Sequence, residues 1–159
     1  MIIEGSFEAL KQNNSIDIVD DLSKTLLHVS YNNYLPNKLN FKDPNNNKEY
    51  AGEIHHHNHT DEYTFSEGSS KIFHITQSSG LRLPKFNISS VYGDFSTKVL
   101  ITKRTLVIQN GELEIAKIIA NPPNYKIVVE NTEDDFMMMC IAFGIIVLIP
   151  NKSLYALIS

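Results

Sequence analysis

The histidine-rich segment from His55 to His59 is the stretch of this sequence whose residue types could bind a metal ion. Neutral imidazoles bind zinc, copper and nickel well. On a β-strand His55 and His57 point to the same face, so we name His55, His57 and His59 as candidate metal ligands. A structural zinc site needs four fixed ligands, and no paired cysteine element accompanies these histidines. The competing interpretation, which we favour, is a solvated hairpin tip that is rich in histidine.

Four basic residues could contact phospholipid headgroups: Lys98, Lys103, Arg104 and Lys117. Each lysine or arginine close to an anionic membrane contributes about 1 kcal/mol of attraction, and stable recruitment takes roughly four to eight of them. Only Lys103 and Arg104 are adjacent in the sequence. An adjacent pair is by itself more typical of a solvated turn.

The remaining reactive residue types have structural explanations. The carboxylate pair Asp134-Asp135 suits a helix N-terminus, and Asp20-Asp21 suits a solvated surface. Cys140 lies inside an apolar run, where we expect a core residue and not a reactive thiol. The sequence contains no G-x-S-x-G elbow, phosphate-binding loop or dinucleotide glycine motif. We therefore expect no catalytic residues, no enzymatic activity and no cofactor.

Length and charge limit the class of protein. The 159 residues fit one domain, covering 1–159. A net charge of −4 argues against a nucleic-acid partner, because nucleic-acid binders normally carry a basic excess. The single cysteine allows no intrachain disulfide, and the N-terminus has no signal-peptide pattern. We expect a cytoplasmic protein that can associate peripherally with a membrane.

A C-terminal apolar run sets the architecture. Met137 to Ile149 is uncharged, but a bilayer-spanning helix needs about 20 apolar residues, so this run is a core helix and no transmembrane span is expected. Thr132 can cap it, with Asp135 three residues on. We predict a helix over about 133–149 that ends before Pro150. In the alternative, the helix stops near Gly144 and the β-branched residues that follow form a strand.

Short alternating segments precede this run. Eight or nine strands are indicated between Leu39 and Val129, separated by turn residues such as Asn110-Gly111, a dipeptide favoured in tight hairpins. This spacing predicts an all-β barrel or sandwich. An apolar helix needs protein on every side, and these strands can supply it.

The N-terminal segment, residues 1–35, is ambiguous. Its apolar residues recur every three or four positions at Ile16, Val19, Leu22, Leu26 and Val29, which favours a short amphipathic helix. The alternative is one strand over 16–18 and a second over 25–29, with the acidic pair between them. We favour the helix.

Three segments carry a resemblance to a known family. They are the alternating strand Leu39–Asp43, the hairpin Thr105–Ile118, and the strand Tyr125–Glu130, which runs into Asp134-Asp135-Phe136 and the apolar helix. In this order they resemble the tubby C-terminal-like superfamily, which includes tubby domains, plant LURP-one-related proteins, phospholipid scramblases and small bacterial relatives. The resemblance covers roughly Leu39 to Ile149.

The resemblance implies a closed, antiparallel, twelve-stranded β-barrel with one hydrophobic C-terminal helix at its centre, and this is the fold that we predict. Tubby domains bind phosphoinositides through basic surface residues, and scramblases are associated with lipid movement and calcium. This sequence has no dense basic cluster, cysteine-rich palmitoylation segment or acidic calcium loop that matches those functions. We expect a non-enzymatic binding or adaptor module whose partner is a phospholipid headgroup or a protein. The alternatives are a lipocalin-like carrier of an apolar ligand and a membrane-associated, scramblase-like protein.

Overall fold

A computed structural model of the chain describes residues 1–6, 14–32, 35, 37–57, 60–78, 85–121, 124–130, 132 and 134–148. These residues form twelve β-strands, one 3₁₀ turn and one α-helix. The strands are β1 (Ile2–Ser6), β2 (Ser15–Val19), β3 (Thr25–Tyr31), β4 (Lys38–Asp43), β5 (Lys48–His56), β6 (Asp61–Glu67), β7 (Ser70–Gln77), β8 (Phe86–Ser90), β9 (Gly93–Leu100), β10 (Thr105–Asn110), β11 (Leu113–Asn121) and β12 (Asn124–Val129). The 3₁₀ turn is Ile101–Lys103 and the helix, α1, is Asp135–Leu148.

All neighbouring strands are antiparallel. From β2 to β12 each strand pairs with the next in the sequence, and β1 pairs with β12. The two edge strands, β1 and β2, meet at a bridge between Ile3 and Asp20. The sheet is therefore a nearly closed barrel, which confirms the predicted fold class. Nine of the twelve strands, β4 to β12, lie between Lys38 and Val129, where the sequence patterns indicated eight or nine, and the other three belong to the N-terminal segment.

The size of the barrel explains why it contains a helix. Twelve strands about 4.8 Å apart and tilted by about 40° enclose a radius of about 12 Å. A helix with its side chains has a radius of about 5–6 Å, so one helix and the inward strand side chains together fill the interior. The helix contacts β6 and β7 on one side and β11 and β12 half the circumference away. The helix is thus central.

The surface of α1 is buried all round. Every residue from Met137 to Ile146 is buried, which leaves no solvent-facing stripe and requires protein on each side. Phe143 packs edge-on against Phe41 of β4, with ring centroids 5.7 Å apart. The apolar run is therefore internal to the barrel, as predicted. Among the described residues, no helix is long and apolar enough to cross a membrane.

The N-terminus of α1 is capped by an aspartate. Asp134 Oδ1 accepts a hydrogen bond from the backbone N–H of Met137 at 3.0 Å, so Asp134 is the N-cap residue. Thr132, which the sequence suggested as the cap, lies too far upstream. Its hydroxyl oxygen accepts the N–H of Asp134 at 3.3 Å and so holds the cap residue. Asp135 follows in the first turn, where its charge complements the helix dipole.

The helix continues through Gly144 to Leu148. The alternative in which a strand follows Gly144 is therefore wrong. Intrinsic helix propensity disfavours Ile145 and Ile146 by less than about 0.7 kcal/mol each. Burying such a side chain contributes about 1.5–3 kcal/mol, and both are almost fully buried. Packing inside the barrel outweighs local propensity here.

The N-terminal segment forms strands β2 and β3, so the amphipathic helix that we favoured is wrong and the two-strand alternative is right. The turn between the strands supplies the reason. Asp20 Oδ1 accepts the backbone N–H groups of Leu22 and Lys24, both at 2.9 Å, which closes the chain on itself. Leu22, which the helical stripe would have buried, is 84% exposed.

Candidate functional site

The two ends of the barrel carry different charges. Hairpin turns after the even-numbered strands from β2 to β10 lie at the end where α1 begins, as the contact of Phe136 with Tyr50 shows. Acidic residues crowd this end beside Lys24, Lys48 and Lys71; they are Asp20, Asp21, Glu67, Glu112, Glu130, Asp134 and Asp135. At the opposite end, Lys103 and Arg104 follow β9. Lys103 and Arg104 are thus separated from most of these carboxylates.

The register brings Lys98 and Lys117 together on the outer wall. Both lie opposite Val107, Lys98 from β9 and Lys117 from β11. Val107 lies between the two lysines on the outer wall and is fully buried. Glu114 lies between the two ammonium groups, 3.9 Å from Lys98 and 3.7 Å from Lys117. The pair therefore carries one net positive charge with its carboxylate.

Lys103 and Arg104 stand at the tip of the β9–β10 connection. Arg104 has a left-handed backbone with φ of 51°, and its N–H donates to the carbonyl of Ile101 at 3.1 Å. Both basic side chains are exposed, and among the described residues neither forms an ion pair. Ile101 on the same turn is 54% exposed. The tip thus combines two free cations with an apolar side chain.

A further cation, Lys85, joins this surface. Asn87 of β8 pairs with Ser96 of β9, and extending that register by two residues places Lys85 opposite Lys98. Lys85 is exposed. Sequence reasoning missed it because its position depends on a strand pairing that no local pattern reports. We call Lys85, Lys98, Lys103, Arg104 and Lys117 the basic face.

The candidate metal ligands lie at and beyond the end of β5. His55 is exposed and lies opposite Glu62, and His57 follows the strand. His59 lies outside the described residues, so the three-histidine set stays a prediction. Within the described part of the chain, no group of three or more histidine, cysteine, aspartate or glutamate side chains is arranged to hold a metal ion.

The described histidines pair with carboxylates at this hairpin. His56 Nδ1 lies 2.9 Å from an oxygen of Asp61. His57 Nε2 lies 3.4 Å and His74 Nε2 lies 3.2 Å from the same oxygen of Glu62. His74 comes from β7, which the sequence did not link to the cluster. The arrangement is a partly exposed network of imidazoles and carboxylates.

Cys140 is unsuited to nucleophilic chemistry. It is 1% exposed on the central helix. Burial raises the pKa of its thiol far above the usual value of 9.0, and the carboxylates of Asp134 and Asp43 raise it further. Since the thiolate is the nucleophile, Cys140 behaves as a core residue.

No protein-family model matches the chain, and neither a curated protein nor a solved structure matches it. The resemblance to the tubby C-terminal-like superfamily therefore rests on the residue patterns and on the order of the elements.

Proposed function

We propose that this protein is a non-enzymatic binding module of tubby-like type that recognises anionic phospholipid headgroups through its basic face. The observation that carries the proposal is the exposed tip, where Lys103 and Arg104 form no ion pair with any described carboxylate and lie beside the exposed Ile101. Cations can contact headgroup phosphates while an exposed aliphatic side chain enters the interfacial region. We place the protein at the cytoplasmic leaflet, whose surface carries the anionic lipids.

The architecture favours recognition on the exterior. A carrier of the lipocalin type needs a hollow barrel for its apolar ligand. Here α1 occupies that space, with ten consecutive buried residues from Met137 to Ile146. The carrier alternative is therefore the weaker one. A partner is more readily bound by side chains on the outer surface of the barrel.

The strength of the interaction follows from the number of free cations. The basic face has five cations, and Glu114 offsets one of them. At about 1 kcal/mol for each lysine or arginine near an anionic surface, this number suffices for reversible recruitment. The attraction falls off within a Debye length, so binding is sensitive to salt.

Vesicle flotation tests the proposal. The probe is a phosphatidylcholine vesicle with or without phosphatidylserine, at about 0.1 M and about 1 M salt, where the Debye length is about 10 Å and 3 Å. We expect flotation only with phosphatidylserine and only at low salt. Removing the two tip charges in a Lys103→Ala, Arg104→Ala variant removes about 2 kcal/mol, which corresponds to about 30-fold weaker partitioning.

The matched control is a Lys24→Ala, Lys48→Ala variant. It makes the same change in net charge with exposed lysines at the opposite end of the barrel. We expect it to float like the unchanged protein. Equal loss in both variants, or flotation that ignores phosphatidylserine and salt, contradicts headgroup recognition by the basic face.

A further inference from the structure

An apolar pocket opens at the other end of the barrel, where α1 enters. Its floor is made by Met137, Met138 and Ile141 of the helix together with side chains of β9 and β11. Tyr92 and Leu113 stand at its edge and are 55% and 54% exposed. We call this cavity of about 290 Å³ the mouth pocket.

Large apolar side chains at the rim of the mouth pocket are exposed to solvent. Among the described residues, seven large apolar side chains are exposed, and two of them, Tyr92 and Leu113, line this cavity. Exposed apolar side chains gathered around a cavity mark an interaction surface more often than scattered ones do. Methionines on the floor can repack around different side chains, because the thioether chain is flexible and polarizable.

The charge around the mouth pocket is negative. Asp134 lines it, and no lysine or arginine is among the described residues that line it. Glu112 precedes Leu113 in the adjoining turn and is exposed. A helix N-terminus contributes about half a positive charge, which the carboxylates of Asp134 and Asp135 outweigh. An incoming group is therefore favoured if it is apolar at its tip and cationic at its flank.

The size of the cavity indicates the kind of occupant. Pockets for drug-sized ligands have volumes of about 300–1,000 Å³, so the mouth pocket is at the lower limit. Protein interfaces commonly bury one anchor side chain in a small pocket with weaker contacts around it. The exposed ring of Tyr92 and the side chain of Leu113 can supply those surrounding contacts.

We propose that the mouth pocket binds an extended segment of a partner protein that presents a leucine- or methionine-sized side chain next to a lysine or arginine. The aliphatic side chain fills the space above Met137 and Met138. The neighbouring cation pairs with Asp134 and Glu112. This site lies at the opposite end of the barrel from the basic face, so it gives the molecule a second, independent binding surface.

Methyl NMR of the whole chain tests this proposal. Labelling methionine methyl groups with ¹³C gives four signals, from Met1, Met137, Met138 and Met139. The probe is the peptide acetyl-Arg-Leu-Leu-Arg-amide, compared with versions in which glutamate replaces arginine or serine replaces leucine. We expect saturable shifts of the Met137 and Met138 signals with the first peptide only. Met139 is fully buried and does not line the cavity, so its signal is the internal reference.

Variants at the exposed edge leave the core intact and so separate binding from folding. We expect Leu113→Ala and Tyr92→Ala to weaken the peptide at least tenfold. Asp134→Asn keeps an oxygen for the helix cap and removes the charge, so we expect it to weaken the peptide at least threefold. The controls are Leu22→Ala and Asp21→Asn, both exposed at the same end of the barrel, and we expect no change in affinity.

Three results would overturn the proposal. The first is the absence of saturable shifts at millimolar peptide. The second is equal binding of the glutamate peptide, which removes the role of the acidic rim. The third is the same set of methionine shifts on adding phosphatidylserine vesicles, which makes the pocket a lipid site.

Discussion

At the scale of single residues, the packing of the Tyr63 ring requires glycine at two neighbouring positions. Its ring lies between Gly52 of β5 and Gly144 of α1. A Cβ atom at Gly52 would lie 2.7 Å from Tyr63 Cζ and 2.9 Å from Phe41 Cε2, and one at Gly144 would lie 2.8 Å from Tyr63 Cε1. Heavy atoms cannot approach so closely. Both positions therefore require glycine, because any side chain there would collide with the ring of Tyr63.

A methyl group at Gly52 should be costly. We expect Gly52→Ala to lower the free energy of unfolding by about 1–3 kcal/mol, the usual cost of overpacking a core. Gly5→Ala on β1 is the matched control, because a Cβ there has open space within 4 Å and the backbone is not left-handed. Urea unfolding followed by circular dichroism measures both. Equal midpoints for the two variants would show that Tyr63 moves away without cost.

At the scale of elements, α1 was predictable and the N-terminal strands were not. An acidic cluster followed by an apolar run marks a buried helix by itself. The spacing from Ile16 to Val29 fits a helix and a strand pair almost equally well, since the strands are only five and seven residues long. What decides between them is pairing with β4, and a strand partner is not visible in a local window.

The reactivity of the Cys140 thiol measures whether α1 stays inside the barrel. Because its thiol is 1% exposed and burial raises its pKa, we expect the folded protein to resist a maleimide reagent. In urea above the unfolding transition the single cysteine should react fully. Mass spectrometry of the labelled chain measures both states. Rapid labelling without denaturant would mean that the helix leaves the barrel readily.

At the scale of the whole molecule, the charge pattern depends on the barrel. Lys103 and Arg104 are adjacent in the sequence and were therefore named as a unit. Lys98 of β9 and Lys117 of β11 were named with them, but only the register places these two on one wall and adds Lys85, which lies just before β8. The mouth pocket likewise combines two hairpin turns with the start of α1. Surfaces made by distant segments are what sequence patterns leave out.

Alkaline pH should destabilise the whole barrel. Burial raises the pKa of Cys140 and Tyr63 well above their usual values of 9.0 and 10.0. Burial raises the pKa of Tyr50 to about 12, and the negative charge of Glu67 contributes to this shift. The folded protein thus keeps protons that the unfolded chain loses, so stability is complete below about pH 9 and falls as the pH rises above it. Urea unfolding between pH 8 and pH 11 measures the decline.

Tyr63 makes this prediction specific, because its hydroxyl is buried and has no hydrogen-bond partner in the part of the chain that the structure describes. A buried hydroxyl without a partner costs about 1–3 kcal/mol, so Tyr63→Phe should be at least as stable as the unchanged protein at pH 7. Above pH 10 its stability should fall less steeply, by about 1.4 kcal/mol per pH unit, since one titrating group is gone. If Tyr63→Phe keeps the full slope, other groups cause the alkaline loss.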